Sequence, residues 1–125
     1  MKTNYKVAIA LVAGTAIGGA ALQILHAQAK PPTYVVVDIS SITDLEGFKA
    51  IGPKAGPASA AFGGKYIMRT ENITASDGIA PKLFVVIAFD SLEKAKAWTA
   101  STAQKEVDAL RMKTTKSRVF YVEGM

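Results

Sequence analysis

The sequence predicts an α+β fold of order β-α-β-β-α-β, with the helices on one side of a four-stranded antiparallel sheet. Three observations lead there. The stretch Leu83–Trp98, LFVVIAFDSLEKAKAW, passes from an unbroken apolar run, rich in β-branched and aromatic residues, directly into a helix start. A second such run, Tyr34–Ile39, precedes it, whereas Lys65–Thr70 and Ser117–Glu123 have mixed character. The apolar strands are therefore first and third in chain order. Those are the central strands of the ferredoxin-like split βαβ arrangement, and the mixed strands are its edges.

Met1–Ala29 reads as an export signal. Lys2 and Lys6 form a basic start, Val7–Leu22 is uncharged and mostly apolar, and Ala27-Gln28-Ala29 is a small-residue cleavage site. Cleavage there leaves Lys30 as the mature N-terminus and no stable membrane contact. The competing reading is an uncleaved anchor, because residues 7–25 are just long enough to span a bilayer and Gly14 and Gly18 form a G-x-x-x-G. No paired arginines precede the apolar run, which points to general rather than twin-arginine export. Residues 30–33, with Pro31-Pro32, are a short stiff linker, and residues 34–124 are one domain.

In Tyr34–Ile39, Val35, Val37 and Ile39 share one face, and Tyr34, Val36 and Asp38 share the other. Thr43 or Asp44 caps a helix through Leu45, Phe48 and Ile51. Gly52-Pro53 breaks or kinks it, since proline lacks an N–H, and a second segment follows through Ala58, Ala61 and Phe62. Gly63-Gly64 ends that helix. Lys65–Thr70 is the second strand, and Glu71–Pro81, with Asp77-Gly78, is a loop. Leu83–Phe89 reads as a strand buried on both faces. Asp90 and Glu93 have capping-box spacing, and Leu92, Ala95 and Trp98 form an apolar stripe. Ser101 starts the next helical segment, which Val107 and Leu110 carry to Arg111 or Met112. Ser117–Glu123 is the last strand.

Composition removes whole classes of function. There is no cysteine, which excludes disulfides, thiolate catalysis, iron–sulfur clusters and cysteine-type zinc sites. The one histidine, His26, lies in the segment expected to be removed. The mature chain then has no Ser-His-Asp or Cys-His mechanism and no histidine for haem. A metal would need an all-oxygen site, and no loop of EF-hand spacing exists, so no metal or cofactor is expected. Removing Lys2 and Lys6 from 15 basic residues leaves 13 against 10 acidic ones, an ordinary balance spread along the chain. It gives no electrostatic footprint for nucleic acid. Asn72-Ile73-Thr74 matches the glycosylation sequon, a triplet common by chance. Gly63-Gly64 is no phosphate loop, because it runs from helix to strand.

The fold leaves one sheet face without helices. Val36, Ile67 or Met68, Val85 or Val86, and Tyr121 put apolar groups there, and an uncovered apolar face marks an interface. A homodimer packed sheet against sheet is therefore expected, which also adds burial to a domain of about 90 residues.

Several short motifs occur in order: Phe62-Gly63-Gly64-Lys65-Tyr66 leading to Arg69, Phe89-Asp90-Ser91-Leu92-Glu93 with Ala95, Ala97 and Trp98, then Arg111, and Val122-Glu123-Gly124. Over roughly Tyr34–Gly124 they resemble the family catalogued as domain of unknown function 1330. The resemblance implies a dimeric α/β-barrel in which two ferredoxin-like sheets face each other around a cavity. It implies no activity, since superfamily relatives include cofactor-free monooxygenases, lactone isomerases and haem enzymes. Family members often follow the helix tryptophan with a tyrosine and carry another about five residues on. Thr99 and Ala103 stand there instead.

Five residues form the candidate site. Arg69 has a planar fork suited to a carboxylate, or forms a surface or interface ion pair. Asp38, late in a buried strand, is a general base if desolvated, or one half of a structural ion pair with Arg69. Trp98 is a cavity wall or core. Tyr66 and Tyr121 donate to a ligand or pack with wet tips. Arg111 is accounted for by the helix dipole alone. The leading expectation is an exported homodimer holding a small aromatic or acidic molecule. The alternatives are a cofactor-free oxygenase or isomerase using Asp38, Arg69 or a tyrosine, and a structural dimer without a ligand, which a sealed apolar interior would support.

Overall fold

The computed structural model describes residues 31–125, which form one compact unit. The expected signal or anchor lies outside the described residues. The elements are β1 (Thr33–Ile42), α1 (Leu45–Lys49), α2 (Gly52–Ala60), β2 (Lys65–Thr70), β3 (Leu83–Phe89), α3 (Leu92–Ala100), α4 (Thr102–Thr114) and β4 (Thr115–Glu123). The sheet order is β2-β3-β1-β4 with every pair antiparallel, the ferredoxin-like order. Both apolar strands are central.

Local chemistry sets the helix boundaries. Gly47 N donates to the Asp44 carboxylate at 3.1 Å to start α1, and Gly52-Pro53 separates α1 from α2. Gly63, at φ 78°, and the Gly64 N–H, which donates to the Ser59 carbonyl, close α2 as a left-handed cap. Gly64 has a separate task. A Cβ there would lie 2.7 Å from the Phe89 ring, so the missing side chain lets β2 approach β3. The start of α3 corrects the capping-box expectation. Ser91, not Asp90, is the cap and accepts from Lys94 N at 3.2 Å, because the extended backbone at Ser91 aims its hydroxyl into the first turn. Asp90 instead faces Lys94 Nζ at 3.8 Å. Ser101 caps α4 as expected.

Register divides the sheet cleanly. Val35, Val37 and Ile39 pair with Ile87, Val85 and Leu83 on the helix side. Six residues of that face join Ala95 and Trp98 in the core, and Phe89 and Trp98 pack with ring centroids 5.0 Å apart. On the other side Val36 lies between Val86 and Phe120, with Met68 beyond Val86. This corrects two expectations. Leu83–Phe89 is buried on one face only, its alternate residues staying half-buried because no second layer covers them. Tyr121 and Val85 belong to the helix side, since Tyr121 pairs with Val35 and Val85 with Val37.

Candidate functional site

Between the sheet and the helices lies a cavity of about 770 Å³, within the range of small-molecule sites. Its floor is aliphatic: Val37 and Ile39 from β1, with Leu83, Val85 and Ile87 from β3. Phe48 and Ile51 close one side, and Trp98 and Val107 another. The cavity is a feature of a single protomer on the helix side, whereas the resemblance had implied a space between two facing sheets.

The polar groups are few and mostly cationic. Lys49, Arg69, Lys82 and Arg111 line the wall against two carboxylates, Glu71 and Asp108. Arg111 is already engaged. It donates to the Ser117 hydroxyl at 2.7 Å and lies 3.5 Å from Asp108, which also accepts from Gln104 Nε2 at 3.0 Å. Arg69 has no carboxylate within ion-pair distance among the described residues. A β-bulge between Tyr66 and Met68 places it: Tyr66 pairs with Ile87 and Arg69 with Val85, so both side chains leave the strand on the cavity side. Burial raises the Tyr66 phenol above its ordinary value, and the Ser59 hydroxyl and Arg69 guanidinium only partly offset this. Tyr66 therefore keeps its proton at neutral pH and can donate it in a hydrogen bond.

Three of the five candidate residues, Tyr66, Arg69 and Trp98, thus meet at one cavity. The other two do not. Asp38 points to the opposite face and accepts from Arg118 Nε at 3.0 Å, so neither a base role in the cavity nor a pair with Arg69 is available to it. Tyr121 is on the helix side but outside the cavity lining, its hydroxyl 2.7 Å from Thr99 Oγ1. Because Thr99 donates to the Ala95 carbonyl, the phenol is the donor in that pair. Thr99, standing where the resemblance places a tyrosine, thereby ties β4 to α3.

Sequence reasoning passed over Gln104 and left Arg111 to the helix dipole. Gln104, Val107 and Arg111 recur at i, i+3 and i+7, one helix face, and a glutamine and an arginine on an apolar stripe were the available signal.

Residues 32–125 match the model of the family described as "Domain of unknown function (DUF1330)". Among solved structures, a protein of unknown function from Rhodopseudomonas palustris aligns at TM-score 0.66 and 13% identity, over 85% of this chain and 92% of its own. SnoaB, a cofactor-independent oxygenase from Streptomyces nogalater, aligns at TM-score 0.56 and 8% identity, over 76% of this chain and 94% of its own. A dimeric protein of unknown function and ferredoxin-like fold from Bacteroides fragilis aligns at TM-score 0.50 and 11% identity, over 77% and 99%. At such identities the likeness is one of fold. No curated protein matches the chain.

Proposed function

The chain belongs to the DUF1330 family, and from that premise we propose that it binds a small, largely apolar organic anion in the helix-side cavity of each protomer. The carrying observation is the bulge that sets Tyr66 and Arg69 side by side over an aliphatic floor. Arg69 clamps a carboxylate through its planar fork, Tyr66 donates a further hydrogen bond, and the apolar body of the ligand lies against Trp98 and β3. Desolvation by that floor strengthens the charge pairing. The working unit is a homodimer joined through the open sheet face of Val36, Met68, Val86 and Phe120, as the dimeric fold relative supports. The protein is exported, with residues 1–29 as its signal.

Calorimetric titration with cinnamate tests the binding reading. Arg69→Leu is expected to weaken it roughly ten- to a hundredfold, the magnitude of a charge-assisted hydrogen bond. Equal affinity in both proteins, or no binding to the unaltered chain, overturns it.

A cofactor-free oxygenase or isomerase is the second reading, favoured by the fold shared with SnoaB. Its residues here are Tyr66 and Arg69, Asp38 being on the wrong face. Turnover of a bound phenolic carboxylate, dependent on both residues, is its signature. Unchanged recovery of the ligand after incubation in air excludes it for that compound.

A further inference from the structure

Three charged residues line the cavity without a charged partner within ion-pair distance among the described residues: Arg69, Glu71 and Lys82. The other charges of the wall are paired, Arg111 with Asp108 and Lys49 with Glu46. Arg69 and Glu71 are also exposed, so both are within reach of a molecule entering the cavity. Glu71 is the anomaly. A wall that serves only to hold an anion gains nothing from a free carboxylate beside its arginine, because like charges at short range repel.

The backbone fixes how the two charges stand to each other. Arg69 pairs with Val85 and Thr70 with Phe84, and alternation carried one residue past the strand returns Glu71 to the side of Arg69. Both residues line the cavity accordingly. Two residues of extended chain separate them by about 6–7 Å along the backbone. The turn that follows holds Glu71 in place: the Asn72 N–H donates to Thr70 Oγ1 at 3.0 Å, and the Ile73 N–H to the Glu71 carbonyl at 3.1 Å. Lys82 stands where the loop returns to β3, its N–H donating to the Ile39 carbonyl at 2.8 Å, and it makes no ion pair that would cancel Glu71. One face of the chain thus presents a cation and an anion at neighbouring positions beside the aliphatic floor.

We infer that the ligand is a zwitterion, an α-amino acid with a large apolar side chain, its carboxylate on Arg69, its ammonium group on Glu71 and its side chain on the aliphatic floor. An α-amino acid carries both charges on one short head group, which fits between two side chains leaving adjacent positions of one strand face. This rests on the reading of Arg69 as the carboxylate clamp and deepens it to a class of amino acid. Glu71 acts as a specificity residue. It attracts the ammonium group and repels an acid that lacks one, so both effects favour the amino acid over its deamino analogue.

Calorimetry with L-phenylalanine and 3-phenylpropanoate, which differ only by the ammonium group, tests this. The unaltered protein is expected to bind phenylalanine roughly tenfold or more tightly than 3-phenylpropanoate, the scale of one charge-assisted hydrogen bond. Glu71→Gln is expected to weaken phenylalanine by a similar factor and to bind 3-phenylpropanoate as well as before or better. Damage to the fold would weaken both ligands, so the divergent response is the signature. Thermal unfolding checks that the variant is folded, and the preference of the unaltered protein decides the matter if it is not. Binding of 3-phenylpropanoate with no preference for phenylalanine leaves the anion-binding reading standing and overturns the amino-acid inference. Equal weakening of both ligands in a folded Glu71→Gln does the same. Binding of neither overturns both.

Discussion

Tyr66 and Arg69 are three residues apart on one strand, yet both point to the same side of the sheet. Regular alternation would send them to opposite faces. The bulge at Ile67 absorbs the extra residue, so Tyr66 opposes Ile87 and Arg69 opposes Val85, two neighbours on the cavity face. The anion site depends on this irregularity in an edge strand.

Deleting Ile67 removes the extra residue and leaves Tyr66 and Arg69 two positions apart, so regular alternation keeps both side chains on the cavity side. Cinnamate affinity is expected to stay within about twofold, as both anion-binding side chains are kept, with the sheet retained by circular dichroism. A loss of tenfold or more would contradict the register in which Ile67 is the residue absorbed by the bulge.

Asp38→Asn provides a second control. Its carboxylate faces Arg118 across the other side of the sheet, so cinnamate affinity is expected to stay within about twofold. Stability should change by no more than about 1 kcal/mol, because the Arg118 side chain is 76% exposed. A large loss of binding would return Asp38 to the site.

The two glycines that close α2 should fail in different ways. Gly63→Ala strains a residue at φ 78° with open space around it, and is expected to cost about 1 kcal/mol. Gly64→Ala drives a methyl group into the Phe89 ring and should cost about 1–3 kcal/mol. Phe89→Leu, which removes the ring, is expected to recover part of the second loss and none of the first. Denaturant unfolding of the double variants measures this coupling.

Alkaline titration isolates Tyr66. Its phenol is raised above the ordinary tyrosine value by burial, so an absorbance step above that value is expected, and Tyr66→Phe should delete it. The folded state holds this proton longer than the unfolded chain does. The resulting stabilisation is complete below the ordinary tyrosine value and is lost as pH rises through the raised one. A Tyr66→Phe variant should therefore lose less stability across that window. Identical pH dependence in both proteins would contradict the assignment.

A charge on the open sheet face should separate protomers without touching the cavity. Val86→Glu sits between Val36 and Met68 and away from the aliphatic floor. Native mass spectrometry and sedimentation are expected to show a monomer that still binds cinnamate. An unaltered protein that is itself monomeric would dismiss the proposed dimer.

What the sequence determined by itself was local or periodic in its physics. Apolar continuity marked Leu83–Phe89 and Tyr34–Ile39 as central strands, Gly52-Pro53 divided the first helical region, and Gly63-Gly64 ended it. Element order then left one sheet topology. The absence of cysteine removed whole mechanisms before any fold was known. Which side chains meet was decided only by the tertiary structure. A single bulged residue reverses the facing of everything after it, so Arg69 could not be assigned to a face from alternation. The pairing of Asp38 joins residues 80 apart in the chain, and only the β1–β4 register makes Arg118 its partner. Gln104 and Arg111 looked like ordinary polar helix residues until helix packing put them against an apolar cavity. Strand and helix signals act over a few neighbours, whereas a site is a set of directions, and packing fixes directions last.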